Sequence, residues 1–160
     1  MGKQLARRKP AVKAIAIKKQ SDVFTLIGLD KFLKPNEDNL YNLITVIRKG
    51  LPKKVLDNLA KLMGFTSKQT ADILNLSERT LQRYDEKTLL DKKSTEHTIL
   101  IAELYESGIG LFKSADKFNG WMNYPNLTFQ NKKPIELLDT IYGIKLVQDE
   151  VNRLRHGIYV

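Results

Sequence analysis

The sequence predicts an all-α fold. Apolar residues recur at spacings of three and four along most of its length, Gly, Pro and Ser stand where such segments would begin or stop, and residues 66–84 read as two short helices joined by a tight turn. Residues 1–20 carry Lys3, Arg7, Arg8, Lys9, Lys13, Lys18 and Lys19 with no acid, which predicts a basic flexible arm. Such an arm either solubilises the chain or lies on phosphates. Residues 21–34, with Phe24, Leu26, Ile27, Leu29, Phe32 and Leu33, fit a short strand as well as a helix. Leu40, Leu43, Ile44 and Ile47 fall on one helical stripe that Gly50 stops. Pro52, at a first helical position, opens the next helix, with Val55, Leu56, Leu59 and Leu62 on one face up to Gly64.

Beyond the helical pair, Ser94 or Thr95 opens a helix carrying Ile99, Leu100, Ala102, Leu104 and Tyr105 and ending at Ser107-Gly108. Ser114 caps a shorter helix with Ala115, Phe118, Trp121 and Met122. Residues 123–133 contain Pro and several Asn without a period and read as loop. Pro134 restarts a helix through Ile135, Leu137, Leu138 and Ile141, with Asp139-Thr140 a cap or turn. Gly143 is then the joint to a last helix, in which Ile144, Val147, Val151 and Leu154 repeat until Gly157. The expected organisation is an arm at 1–20, a helical region at 21–93 containing the pair at 66–84, and a C-terminal domain at 94–160.

Of 160 residues, 42% are hydrophobic and 28% charged, enough to bury a core. The formal net charge of +9 makes a polyanion, nucleic acid first, the expected partner. That charge is local, because residues 1–60 carry 13 Lys or Arg against 5 Asp or Glu, while residues 101–160 carry 7 of each. With no Cys, disulfides, thiolate metal sites and a cysteine nucleophile are excluded. No apolar run approaches membrane-span length and none suits a secretion signal, so the expectation is a cytoplasmic protein with no membrane partner.

Residues 66–84 carry the most information. Thr66 followed by Gln69 forms a capping box, and Ala71 lies where a second helix must cross closely. Asn75 suits the left-handed turn, Leu76 plugs the angle between the helices, and Ser77 caps the second helix. Leu81 and Tyr84 point back to the core. Glu78, Arg79, Thr80, Gln82 and Arg83 then face outward near the start of that helix, where side chains of a recognition helix reach base edges; Arg to guanine and Gln to adenine are the bidentate pairings the major groove offers. With Gln69 and Ser77 they make up the expected DNA-binding set. The order of small, apolar and turn positions resembles the helix-turn-helix of the Cro and Xre repressors, departing from it at Asn75, where Gly is usual. A plain helical hairpin with polar outer residues fits the same spacing.

The C-terminal third resembles a second module. Lys133-Pro-Ile-Glu-Leu-Leu-Asp-Thr-Ile-Tyr-Gly-Ile-Lys-Leu-Val147 and the ending Arg155-His-Gly-Ile-Tyr-Val160, with Gly110-Leu-Phe112, Ala115, Phe118, Trp121 and Met122 upstream, are similar to the Xre/MbcA/ParS antitoxin toxin-binding domain. The resemblance covers residues 50–160. It implies an all-α antitoxin whose helix-turn-helix DNA-binding domain precedes a small helical toxin-binding domain. Its partners would be a cognate RES-domain toxin that consumes NAD and operator DNA of its own operon. Symmetric operators pair with symmetric proteins, so a homodimer or higher oligomer built from apolar faces in residues 23–62 is expected as well, although the same residues fit one folded unit with the helix-turn-helix equally well. The expected toxin-binding set is Arg153, Arg155, His156, Gly157, Ile158, Tyr159 and Val160. The last three form an amphipathic peg for a pocket, and the two arginines pair acids on its rim. A tail packed on its own domain is the alternative.

An enzyme is disfavoured by the inventory. His97 and His156 stand far apart and suit capping or surface positions, Asp139, Asp149 and Glu150 are scattered along solvated helix faces, and neither a nucleophile elbow nor a phosphate loop is present. No cofactor and no metal are expected. A stand-alone helix-turn-helix regulator with a C-terminal dimerisation or effector domain shares every DNA-directed feature.

Overall fold

The helical spacings become helices, and the burial of one of them organises the rest. The computed structural model describes residues 22–33 and 39–157. Its α-helices are α1 (Asp22–Ile27), α2 (Asn39–Lys49), α3 (Lys53–Met63), α4 (Ser67–Ile73), α5 (Glu78–Gln82), α6 (Lys92–Phe112), α7 (Ala115–Met122) and α8 (Ile141–Arg155). Short 3-10 turns lie at Leu29–Lys31, Leu127–Phe129 and Pro134–Leu137, and among the described residues no strand exceeds an isolated bridge. The basic arm and residues 158–160 lie outside the described residues.

Helix α6 is buried along much of its length, from Ser94 to Gly108, while Lys92, Lys93 and Glu96 of its first turns stay exposed. Ile99, Ile101, Ala102, Leu104 and Tyr105 are each 2% exposed or less. Helices α1, α2 and α3 pack on one part of it, α7 and α8 on another. Its polar groups are satisfied through neighbours. Thr95 Oγ1 donates to Leu90 O and accepts from Leu51 N, tying the α2–α3 joint to the segment before α6. Tyr105 Oη donates to Asn119 Oδ1 at 2.9 Å, and Asn119 Nδ2 donates to Leu62 O at 2.9 Å, linking α6, α7 and α3. Phe118 of α7 meets Tyr105 edge-on at 5.0 Å and stacks on Trp121 at 5.8 Å.

Several expectations are corrected. The ambiguous 21–34 segment is helical over α1 and then turns. Pro52 is the N-cap of α3, one position before the helix. Of the α2 stripe, Leu40 and Ile44 face solvent, and Val46 is the buried residue, flanked by Leu43 and Ile47. α6 starts at Lys92 and is capped by Asp91, whose Oδ1 accepts from Ser94 N at 2.7 Å; Ser94 and Thr95 are buried inside the helix. Nor does α6 stop at Ser107-Gly108. Gly108 is the point of close approach to α7, since a Cβ there would stand 2.2 Å from the Phe118 ring. The predicted helix from Pro134 is a single 3-10 turn. Gly143 is no joint but part of the first turn of α8, capped by Thr140 Oγ1. A Cβ on Gly143 would fall 1.8 Å from Leu137 O.

His97 is neither a capping nor a surface residue. It is 3% exposed, and its Nε2 is hydrogen-bonded to Leu138 O. A carbonyl only accepts, so this nitrogen carries the proton. The next carbonyl, of Asp139, accepts from Asn75 Nδ2 at 2.9 Å. The segment entering α8 is thus held from α6 and from the α4–α5 turn. Asn75 itself has φ 55, the left-handed conformation expected of it.

Four outcomes are expected in urea unfolding. Gly108→Ala lowers stability by about 1–3 kcal/mol through overpacking against Phe118, whereas Gly120→Ala, with nothing within 4 Å of the added carbon, raises it by about 0.4–1 kcal/mol. Asn75→Ala lowers stability by about 1–3 kcal/mol, because it strains the turn and removes the bond to Asp139. Asn75→Gly recovers the turn conformation and loses less.

Candidate functional site

Two regions hold the residues singled out in the sequence. The first is the α4–α5 pair. Thr66 Oγ1 accepts from Gln69 N, and Gln69 Oε1 accepts from Thr66 N at 2.9 Å, completing the capping box. Ser77 Oγ accepts from Thr80 N at 3.0 Å, and the two hydroxyls share a hydrogen bond at 2.7 Å. Ala71 is fully buried where α4 and α5 cross, and Leu74 and Leu81 are each 3% exposed beneath them. Burial of this apolar underside fixes which side chains of the pair are left outside.

Gln69, Ser77 and Thr80 therefore serve first to build helix starts. Gln82 Nε2 donates to Glu78 Oε1 at 3.2 Å along α5. Arg79 and Arg83 are exposed and make no ion pair among the described residues. Of the seven candidates, these two arginines are the charged donors left free. The helix carrying them is shorter than expected: α5 has five residues, and Arg83 is its C-cap. After it, Asp85 Oδ1 accepts from Lys87 N and Thr88 N, each at 2.8 Å, which holds its carboxyl below the usual range and closes the turn. Behind the pair lies a cleft of about 350 Å³ lined by Lys53, Lys54, Lys61, Ser67 and Gln82 among others. Lys53 pairs with Asp57, and Lys54 pairs with Glu86 across 2.8 Å, so both amines are neutralised within the chain.

The second region is α8. Ile144, Val147 and Val151 pack inward on α6. Glu150, read from the sequence as solvated, is 5% exposed and takes a bidentate grip from Arg153, Nε to Oε2 at 2.8 Å and Nη2 to Oε1 at 2.6 Å. That hydrogen-bonded carboxylate raises the Arg153 guanidinium pKa. Arg155 Nη2 donates to Ser107 O at 2.7 Å, fastening the end of α8 to α6. Both arginines expected to reach a partner are thus engaged in the chain, where they satisfy a buried carboxylate and an α6 carbonyl. His156 caps α8 and is exposed, Gly157 has φ 67, and Ile158, Tyr159 and Val160 lie outside the described residues. Sequence reasoning missed Tyr142 and Leu146, which are 84% and 49% exposed on the outer side of α8. Their i, i+4 spacing, out of phase with Ile144, Val147 and Val151, was the available signal.

Among the described residues no cluster of His, Cys, Asp or Glu suits a metal, and no helix is long and apolar enough to cross a membrane.

Residues 43–103 match the antitoxin Xre-like helix-turn-helix domain, and residues 107–157 match the antitoxin Xre/MbcA/ParS C-terminal toxin-binding domain. The seam between the two falls inside α6, which serves both. No curated protein matches the chain. A chain in the crystal structure of the M. tuberculosis MbcT-MbcA toxin-antitoxin complex is similar at 20% identity, with a TM-score of 0.49, over 66% of this chain and 94% of that one. The two domain matches, in this order on one polypeptide, place the chain among the antitoxins that join an Xre-like helix-turn-helix to an Xre/MbcA/ParS toxin-binding domain, a family of non-enzymatic binding proteins.

Proposed function

We propose that this antitoxin restrains a RES-type, NAD-consuming toxin by covering its active site, and that it represses its own operon through α4 and α5. The observation that carries this reading is the pairing of the two family domains with a helix, α5, at which Arg79 and Arg83 are exposed and make no ion pair among the described residues. Neutralisation is then occupancy. A domain that fills the mouth of the toxin's site excludes NAD, and at a free antitoxin concentration about 100-fold above Kd only about 1% of the toxin stays free. In this reading His156 and Gly157 lead the peg of residues 158–160 to that site, while Arg153 and Arg155 hold the base of the peg on α8.

At the other end, Arg79 and Arg83 read base edges, with Gln69, Ser77, Glu78, Thr80 and Gln82 shaping the start of each helix or contacting the duplex beside them. The basic excess of residues 1–60 supplies affinity for phosphate without regard to sequence. A two-fold operator requires a two-fold protein. The exposed side chains Leu26, Leu40, Tyr41 and Ile44 on α1 and α2 supply an apolar face for a second copy, within the 23–62 stretch expected to dimerise. The chain acts in the cytoplasm, where both the operon and NAD are found.

Co-expression with the neighbouring gene product tests the reading. Cells making that product alone are expected to lose NAD and stop growing, the antitoxin to restore both, and deletion of residues 156–160 to abolish the rescue. Loss of NAD undiminished by the full chain, with no complex recovered, would sink the proposal. On DNA taken from upstream of its own reading frame, Arg79→Ala and Arg83→Ala are each expected to weaken binding by about 1–3 kcal/mol, with less effect on random duplex. Equal losses on both would make these arginines phosphate contacts.

A further inference from the structure

Nine large apolar side chains are exposed among the described residues, and four of them, Tyr124, Leu127, Tyr142 and Leu146, fall inside residues 107–157. None of the four is required by the core. Tyr142 and Leu146 lie one turn apart on the outer side of α8, beside Lys145, whose Nζ stands 5.8 Å from the Tyr142 ring centroid. Tyr124 and Leu127, 74% and 84% exposed, project from a loop that is fixed from within. Asn126 N donates to Lys132 O, Asn131 N donates to Asn126 O, and Asn126 Oδ1 accepts from Thr128 N. Phe129 anchors the loop beneath, 4% exposed and edge-on to Trp121 at 6.4 Å. The Pro134–Leu137 turn packs on α8 and on α7, the helix from which the loop departs. Apolar knobs held in place this way lose little freedom when a partner covers them, the condition for affinity from a small area.

We propose that Tyr142 and Leu146 on α8, with Tyr124 and Leu127 on the loop, are the apolar anchors that hold the toxin. The inference rests on the antitoxin reading and deepens it. Three observations select the toxin as occupant. All four residues lie in the segment matched as the toxin-binding domain. Residues 101–160 balance 7 basic against 7 acidic residues, which offers nothing to a polyanion. A second copy has other exposed apolar side chains open to it, Leu26 on α1 and Leu40, Tyr41 and Ile44 on α2. From Leu146 the outer side of α8 continues through Asp149 and Asn152, both exposed, to His156 at the helix end, so the α8 anchors and that end lie along one stripe.

The test uses the full chain and the toxin encoded beside it, with Kd from calorimetry, thermal midpoint, self-association by sedimentation and operator binding measured for each variant. Tyr142→Ala/Leu146→Ala and Tyr124→Ala/Leu127→Ala are each expected to raise the toxin Kd at least tenfold while leaving the midpoint and operator binding as in the unaltered chain. Leu89→Ala, which truncates an apolar side chain 49% exposed outside both faces, should leave the toxin Kd unchanged. Toxin Kd within twofold of the unaltered chain for both double variants overturns the anchors alone. Loss of self-association with unchanged toxin binding reassigns the face to a second copy and also overturns them. An unaltered chain that does not bind the toxin overturns the antitoxin reading together with the anchors.

Discussion

Everything in this molecule depends on removing α6 from water. Ten of its residues are buried, from Ser94 to Gly108, and no single neighbour covers them. Helices from the first domain lie along part of it and helices from the second along the remainder, so neither set completes a core without the shared helix. Burial on this scale brings polar groups inside, where an unmatched donor or acceptor costs about 1–3 kcal/mol. Thr95, His97 and Tyr105 are each matched, and each match reaches another element: the α2–α3 joint, the entry to α8, and α7 with α3. The apolar requirement sets the position of the helices, and the polar requirement sets their register.

The helix-turn-helix pair is attached to this core lightly. Capping at Thr66 and Ser77 builds α4 and α5 from contacts within a few residues, and their apolar undersides rest on the first domain. One bond leaves the turn for the other domain, from Asn75 to the carbonyl of Asp139. Two neighbouring carbonyls just before α8 are thereby held from two different elements, Leu138 by His97 of α6 and Asp139 by Asn75 of the α4–α5 turn. Close packing of Gly143 on Leu137 O fixes the same short segment a third time. The helix bearing the candidate toxin-facing residues starts from a rigid point.

Charge is divided along the chain, while exposed apolar side chains occur on both parts of it. Basic excess belongs to residues 1–60, ahead of the outward arginines of α5, whereas the C-terminal region is balanced in charge and exposes Tyr124, Leu127, Tyr142 and Leu146 without a basic excess beside them. The first arrangement suits a polyanion and the second a protein, because phosphate is gripped by unpaired cations and a protein surface by apolar contact. Arg153 and Arg155 show how readily this inference goes astray when made from residue type alone. Both stand near the tail, yet one neutralises a buried carboxylate and the other fastens α8 to α6.

By itself the sequence determined whatever depends on near neighbours. The capping box at Thr66 and Gln69, the caps at Ser77, Ser114 and Thr140, the left-handed turn at Asn75 and the stripes of α3 and α8 all act across about three or four residues, within reach of sequence spacing. The family resemblance was legible for the same reason, being written in short local patterns. Only the tertiary structure decided which side of a stripe faces inward and which polar residue is buried. His97 finds its partner 41 residues away and Asn75 finds its own 64 away. Gly108 and Gly143 looked like helix ends because glycine ends helices; their actual role, close approach to Phe118 and to Leu137 O, exists only once α7 and the Pro134–Leu137 turn are in place. Leu40 and Ile44 turned outward, and Tyr142 and Leu146 stayed exposed, because burial is settled by what packs against a helix and not by the spacing along it.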